Sequence, residues 1–272
     1  MSIISRQGGK SRLYKTLIPL FPEHEYYVEI FGGAGWVLLN KPESTIETFN
    51  DIDGNLVNLF RVIRDFPGEF TNRLQYDIVS RQTFDDYKQL PFHALDPIDR
   101  AVKWYYVYYN SFNADMTSFL ARKVKTNPNR FNTRLPVLTQ QIADRLSNVI
   151  IENLDFRDMF LKYKGPDVFY FLDPPYYETT GYEVPFLEKD HVDLRTVVGN
   201  IDGKFLMTYN AHDAIIDMYG DDFWITPLSV NYQCANRPGA YKDKTNIARE
   251  VAITNYDPGN VDSIVDSILV VD

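Results

Sequence analysis

Four short apolar runs each end in a loop carrying glycine or aspartate, and this pairing restricts the fold of the 272-residue chain more than any other feature. Tyr26 to Phe31 leads into Gly32-Gly33-Ala34-Gly35, and Thr45 to Phe49 leads into Asn50-Asp51. Asn148 to Glu152 precedes Leu154-Asp155-Phe156, and Val168 to Leu172 stops at Asp173. Such runs read as short buried strands. A helix-like run, Trp36 to Leu39, follows the first glycine loop, and late strands at Lys204 to Tyr209 and Glu250 to Thr254 flank a helix through Asp213 to Tyr219. The pattern predicts an α/β sheet, whose ligands bind beyond the carboxyl ends of the strands.

About a hundred residues between the second and third strands depart from this alternation. Helical periodicity runs through 56 to 65 and 69 to 90, and an aromatic helix covers 97 to 112. A helical insertion at 56–147 is therefore expected within a main domain formed by 1–55 and 148–272. Core packing accounts for most rings of Trp104-Tyr105-Tyr106-Val107-Tyr108-Tyr109, although the stripe is wide for a one-sided helix face. Ser111 to Arg134, rich in Asn, Thr, Arg, Lys and Phe, reads as a loop or hairpin presented to a polar partner.

Charge narrows the partner. A net charge of −9 argues against a general nucleic-acid coat protein. The basic residues are nevertheless grouped: Arg6, Lys10, Arg12 and Lys15 stand in an acid-free stretch at 1–22, and Arg122, Lys123, Lys125, Arg130 and Arg134 in another at 116–143. A third group is Arg237, Lys242, Lys244 and Arg249. One cysteine, Cys234, and four scattered histidines assemble neither a disulfide framework nor a zinc site, so no metal is expected. No apolar run approaches the ~18 residues of a membrane span, and the polar N-terminus is unlike a secretory signal. A cytoplasmic protein is the expectation.

Gly8-Gly9-Lys10-Ser11 has the tail of a phosphate-binding loop, but Ile4 stands where that motif needs glycine. The loop Phe31 to Gly35 lets backbone approach a ligand closely, yet Leu38 replaces the third glycine of the dinucleotide fingerprint. Asp51, 18 residues after Gly33, sits where a carboxylate accepts hydrogen bonds from ribose hydroxyls; its other reading is an N-cap ahead of Gly54-Asn55-Leu56. Val168-Phe169-Tyr170-Phe171-Leu172-Asp173-Pro174-Pro175-Tyr176-Tyr177 is the most informative segment. Two prolines fix the backbone and donate no hydrogen bonds, so a carboxylate, a carbonyl and an aromatic face are offered together, a set suited to a planar exocyclic amino group.

In these residues the chain resembles the DNA adenine-N6 methyltransferases of the Dam-like, alpha-ordered group. Gln7-Gly8-Gly9-Lys10 is similar to the N-terminal cofactor motif, Glu29 to Gly35 to the glycine loop, Asn50-Asp51-Ile52-Asp53 to the ribose acid, and Asp173-Pro174-Pro175-Tyr176 to the catalytic motif. Met207-Thr208-Tyr209-Asn210 and Val251 to Tyr256 resemble the last strands. The resemblance implies a Rossmann-like, S-adenosylmethionine-dependent methyltransferase sheet with an inserted, mainly helical target-recognition domain. S-adenosylmethionine would be held around Arg6, Gln7, Gly9, Lys10, Phe31, Gly32, Gly33, Gly35, Asp51, Asp155, Phe156 and Asp173. Catalysis would fall to Asp173, Pro174, Pro175 and Tyr176, acting on an adenine flipped from duplex DNA.

Contact with double-stranded DNA is expected from Asn110, Asn113, Arg122, Lys123, Lys125, Arg130, Asn132 and Arg134. Two departures stand out: Arg6 occupies a place where many members carry Trp, and Asn113-Ala114-Asp115-Met116 replaces the Asn-Gly-Leu signature of GATC readers. A GATC target is thus not implied. A monomer or weak dimer, with a restriction endonuclease as a further partner, fits the resemblance. The competing readings are an RNA or cytosine-N4 methyltransferase, or a silent DNA-binding regulator. Cytosine-C5 chemistry is set aside because Cys234 lacks the preceding proline of that nucleophile.

Overall fold

The computed structural model describes residues 1–4, 10–120, 134–179, 184–230 and 248–259. In chain order the elements are α1 (Tyr14–Leu17), β1 (Tyr26–Glu29), β2 (Ile46–Asn50), α2 (Gly54–Asp65), α3 (Pro67–Leu74), α4 (Arg81–Lys88), α5 (Pro97–Tyr109), α6 (Leu135–Leu146) and β3 (Val149–Glu152). They continue with α7 (Phe156–Lys162), β4 (Val168–Leu172), α8 (Glu188–Val198), β5 (Lys204–Asn210), α9 (Asp213–Tyr219), β6 (Trp224–Val230) and β7 (Ala248–Thr254). The strands form one mixed sheet in the order β3-β2-β1-β4-β5-β7-β6. The α/β expectation holds. The chain divides into two compact units, one of Met1–Ser11, Gly32–Pro42 and Glu47–Leu154, the other of Arg12–Phe31, Glu43–Ile46 and Asp155–Asp272.

In the first unit β2 and β3 pair in parallel, Glu47 with Val149 through Asn50 with Glu152. Helix α2 begins where Asp53 accepts hydrogen bonds from the Asn55 and Leu56 main chains, and it buries Leu56, Leu59, Phe60 and Ile63. The Phe60 ring meets Phe49 of β2 edge-on at 4.9 Å. Helix α5 starts at Asp96, which caps Ile98 and Asp99, with Pro97 in the first turn where its missing N–H costs nothing. Helices α2, α3 and α4 all pack on α5. That enclosure explains the wide aromatic stripe: Trp104, Tyr105, Tyr106 and Tyr108 are all buried core. Burial leaves each phenol in need of a partner, and the Tyr106 hydroxyl donates to the Ile78 carbonyl at 2.7 Å.

A buried ion cluster ties this unit together. Glu47, 5% exposed, pairs with Lys41 and accepts from both terminal nitrogens, Nη1 and Nη2, of Arg145 from α6. Arg145 also donates to the Leu38 carbonyl at 2.8 Å, which fixes the segment behind the glycine loop.

The second unit contains β1-β4-β5-β7-β6. β1, β4 and β5 run parallel, while β7 pairs antiparallel with β5 and with β6. All five residues of β4 are buried, consistent with a strand covered on both faces. β6 closes the sheet as an edge strand and carries Pro227, a residue that central ladders exclude.

Three details differ from the sequence reading. Trp36 to Leu39 forms successive turns, not an α-helix: the Asn40 amide takes the Trp36 carbonyl at 2.6 Å, and Pro42 disfavours helical geometry at Lys41. The 69–90 run splits into α3 and α4, because Ser80 caps a new helix by accepting from the Thr83 main chain. The aromatic helix stops at Tyr109, and Ser111 forms an isolated bridge with Phe119.

Removing one member of the Glu47 cluster strands the remaining buried charges, so Glu47→Ala is expected to lower stability by about 3–5 kcal/mol in urea unfolding. The combined Lys41→Met, Glu47→Leu, Arg145→Met variant should recover most of that loss.

Candidate active site

The first unit contributes a carboxylate set among main-chain donors. Gly33 donates to Asp51 Oδ2 at 2.7 Å, and the Asp53 N–H donates to Asp51 Oδ1 at 2.8 Å. The N-cap of α2 is Asp53, so the alternative reading of Asp51 as that cap is replaced by a bridge between loop and helix. The glycines have separate reasons. A Cβ at Gly32 would lie 2.1 Å from the Phe49 ring, whereas a Cβ at Gly33 meets no atom of the described residues within 4 Å. Gly33 and Gly35 have φ of +50° and +65°, the left-handed region that glycine occupies without strain. Among the described residues, the Gly33 backbone is therefore uncrowded on its Cβ side and lies next to the Asp51 carboxylate.

Two amides, Asn50 of the Asn-Asp motif and Asn153, which the sequence reading passed over, brace this arrangement. Asn50 both donates to the Leu154 carbonyl at 3.1 Å and accepts from the Leu154 N–H at 2.8 Å. Asn153 donates to the Asp51 carbonyl at 2.8 Å. Lys10 is buried, and Arg6, Gln7 and Gly9 lie outside the described residues.

Of the expected DNA-contacting residues, Asn110 is 1% exposed and its amide donates to the Tyr106 carbonyl at 2.9 Å, closing α5. Arg134 is exposed at the start of α6. Asn113 has a described backbone but not a described side chain, and Arg122, Lys123, Lys125, Arg130 and Asn132 fall outside the described residues. The preceding loop is tightly wound: Ala114 and Met116 both have positive φ, and Asp115 accepts from the Thr117 and Ser118 main chains.

The second unit carries the Asp-Pro-Pro-Tyr segment. Asp173 continues from buried β4, and Thr208 of β5 donates to its Oδ1 at 2.8 Å. Pro174 is buried, while Pro175, Tyr176 and Tyr177 are half-buried. The Tyr176 ring lies 6.2 Å from Tyr209, whose hydroxyl shares a 2.7 Å hydrogen bond with His191 Nδ1. Tyr177 contacts the His191 and His212 rings at 5.2 and 5.0 Å. Burial holds His191 below the ordinary histidine pKa, against a small opposing pull from Asp190.

Phe31, Phe156 and Phe186 form a second aromatic group, with every pair of centroids 5.7–5.8 Å apart. Asp155 caps α7 by accepting from the Arg157 N–H at 2.9 Å. The Arg157 guanidinium lies 4.2 Å over the Phe156 ring and binds Asp155, Asp190 and Asp193. Phe186, Arg157, His191 and Thr208 were not among the residues expected from sequence. Of these, Thr208 had a local signal, a hydroxyl inside an apolar strand. Among the described residues no His, Cys, Asp and Glu group is arranged to hold a metal, and no helix is long and apolar enough to cross a membrane.

Asp-Pro-Pro-Tyr at the end of a buried parallel strand, with a glycine loop and an acid following the first two strands, is the motif order expected of an amino-methyltransferase. The family model of D12 class N6 adenine-specific DNA methyltransferases matches residues 7–233, and the chain belongs to that family. It is a site-specific enzyme that methylates adenine in DNA, drawing on a methyl donor. The chain is 24% identical to the type II methyltransferase M1.LlaDCHI of Lactococcus lactis subsp. cremoris, over 92% of this chain and 93% of that protein. It is 28% identical to the modification methylase StsI of Streptococcus sanguinis over 64% of its length, a match that spans only 28% of that longer relative.

Because folded His191 resists the proton that the unfolded chain accepts, its contribution to stability is present above about pH 6.5 and is lost as pH falls below that value. Urea unfolding of the parent and of His191→Gln across this range should show the parent losing more stability on acidification.

Proposed function

We propose that the chain transfers a methyl group from S-adenosylmethionine to the N6 amino group of an adenine flipped out of duplex DNA. The observation that carries this reading is the Asp173 carboxylate, set at the end of buried β4, oriented by the Thr208 hydroxyl and followed by Pro-Pro-Tyr. An exocyclic amine offers two hydrogens. Asp173 takes one and the Pro174 carbonyl the other, which draws the nitrogen lone pair out of conjugation with the purine. Tyr176 stacks on the base and holds it, so the amine is positioned rather than activated by a strong base. As the nitrogen becomes cationic, the fixed carboxylate stabilises it without rearranging.

The residues of the first unit suit a nucleoside. Asp51 has the chemistry to accept from ribose hydroxyls, and the uncrowded side of Gly33 admits a ligand against the backbone. Lys10, with Arg6, Gln7 and Gly9, supplies the N-terminal part of the cofactor set, alongside Phe31, Gly32 and Gly35. In the second unit Asp155 offers an acceptor and Phe156 an apolar surface for the cofactor's adenine. When bound, S-adenosylmethionine supplies an electrophilic methyl on a sulfonium.

Residues 56–147 serve as the target-recognition domain in this reading, with 1–55 and 148–272 as the catalytic domain. Lysines and arginines between 110 and 134 neutralise phosphates, and Asn113, Asn132 and the arginines read base edges. Arg237, Lys242, Lys244 and Arg249 add backbone contacts. The relatives, a type II methyltransferase and a modification methylase, support a place in restriction-modification; a partner endonuclease, a cytoplasmic setting and a monomer or weak dimer complete the proposal.

Asp173→Ala is expected to cut incorporation of labelled methyl into DNA by at least about a thousandfold while the circular dichroism spectrum stays unchanged; appreciable residual activity contradicts the assignment. DNA affinity should fall with salt, log K declining against log salt by about 0.9 per phosphate contacted. A flat response in a filter-binding titration contradicts the proposed role of the basic loop.

A further inference from the structure

We infer that Thr208 is a positioning residue for the reaction, and that β5 braces both ends of the Asp-Pro-Pro-Tyr-Tyr segment through two side chains. The inference rests on the reading of Asp173 as the group that holds the amine. Its basis is a shortage of donors. Pro174 and Pro175 have no N–H, so the segment cannot anchor itself there by its own main chain. Its two ends are instead held by side chains on the neighbouring strand.

The sheet register places them. The last parallel pair between β4 and β5 is Leu172 with Met207, so Asp173 and Thr208 come next on each strand. Thr208 is fully buried, and its hydroxyl donates to Asp173 Oδ1 at 2.8 Å, with the Leu172 carbonyl farther off at 3.4 Å. Two residues on, Asn210 shares the face of Thr208 and its amide donates to the Tyr177 carbonyl at 3.2 Å. One strand thus grips the segment just before and just after Pro174, Pro175 and Tyr176.

A carboxylate joined to its strand by single bonds rotates unless something opposes it. With Oδ1 engaged by a buried hydroxyl, rotation of the carboxylate away from this orientation is opposed. The carboxylate and the Pro174 carbonyl must both meet one planar NH₂ group, so a rotated carboxylate misplaces the reacting nitrogen while leaving the rest of the base bound. The loss therefore falls on the chemical step more than on DNA binding.

The experiment is steady-state methylation of an oligonucleotide duplex that the parent enzyme methylates, by the parent, T208V, T208S and D173A proteins, with thermal unfolding of each. Val keeps the shape of Thr and removes the hydroxyl; Ser restores it. The expected result is a drop of tenfold or more in kcat for T208V with KM for DNA changed less than threefold, and recovery to within about threefold of the parent for T208S. Should T208V not fold, T208A removes the same hydroxyl without adding bulk and is read in its place. If D173A is inactive while T208V keeps the parent kcat, or if T208S is as impaired as T208V, the positioning role is overturned. If D173A keeps its activity, the failure lies in the reading of Asp173 itself.

Discussion

Asp51 joins three stretches of chain at the end of β2. Its two carboxylate oxygens accept main-chain hydrogen bonds from Gly33 and Asp53, while its own carbonyl accepts from Asn153. A strand tip, a glycine loop and the entry to α2 are thereby fixed to one residue. Glycine takes the left-handed backbone of Gly33 and Gly35 without strain, and the Asp51 bond to Gly33 fixes the loop at that point. Charge-assisted bonds to main-chain N–H groups are strong and rigid, and here they add to the apolar packing of the loop, with Gly32 against Phe49 and Gly35 against Leu39 and Phe60.

The same economy of means recurs in the second unit. Strand ends present acids, and each acid has a designated partner: Asp155 caps α7 and meets Arg157, and Asp173 meets Thr208. Behind the catalytic motif the support changes character. Tyr176, Tyr209, His191, Tyr177 and His212 form a chain of ring contacts with one hydrogen bond inside it. Rings have few rotatable bonds, so a packed aromatic backing lends stiffness at little entropic cost.

The strands that carry the chemistry were legible because burial on both faces demands uninterrupted apolar runs, and β4 matches its sequence expectation from Val168 to Leu172. The helix through Asp213 to Tyr219 was equally plain. β6 escaped notice because an edge strand needs no apolar run, and Pro227 argues locally against a strand. The turns at Trp36 to Leu39 misled for a related reason: their apolar residues are buried, but an asparagine side chain claims a carbonyl that a helix would use. At the site, residue types pointed to Asp51 and Asp173, whose neighbours in sequence carry the signal. Arg157 and Thr208 act through partners 33 to 36 residues away, and contacts of that span follow from register and helix docking, which no local pattern encodes.

The edge of the sheet has a bearing on how the chain behaves in company. β6 turns one side toward β7 and leaves the other as the last rung, with Pro227 along it and Trp224 half uncovered. A proline on such a strand interrupts the ladder that another extended chain would need in order to dock there. Among the described residues, the strand that ends the sheet beside β7 thus carries a residue that cannot donate to a further strand at that position.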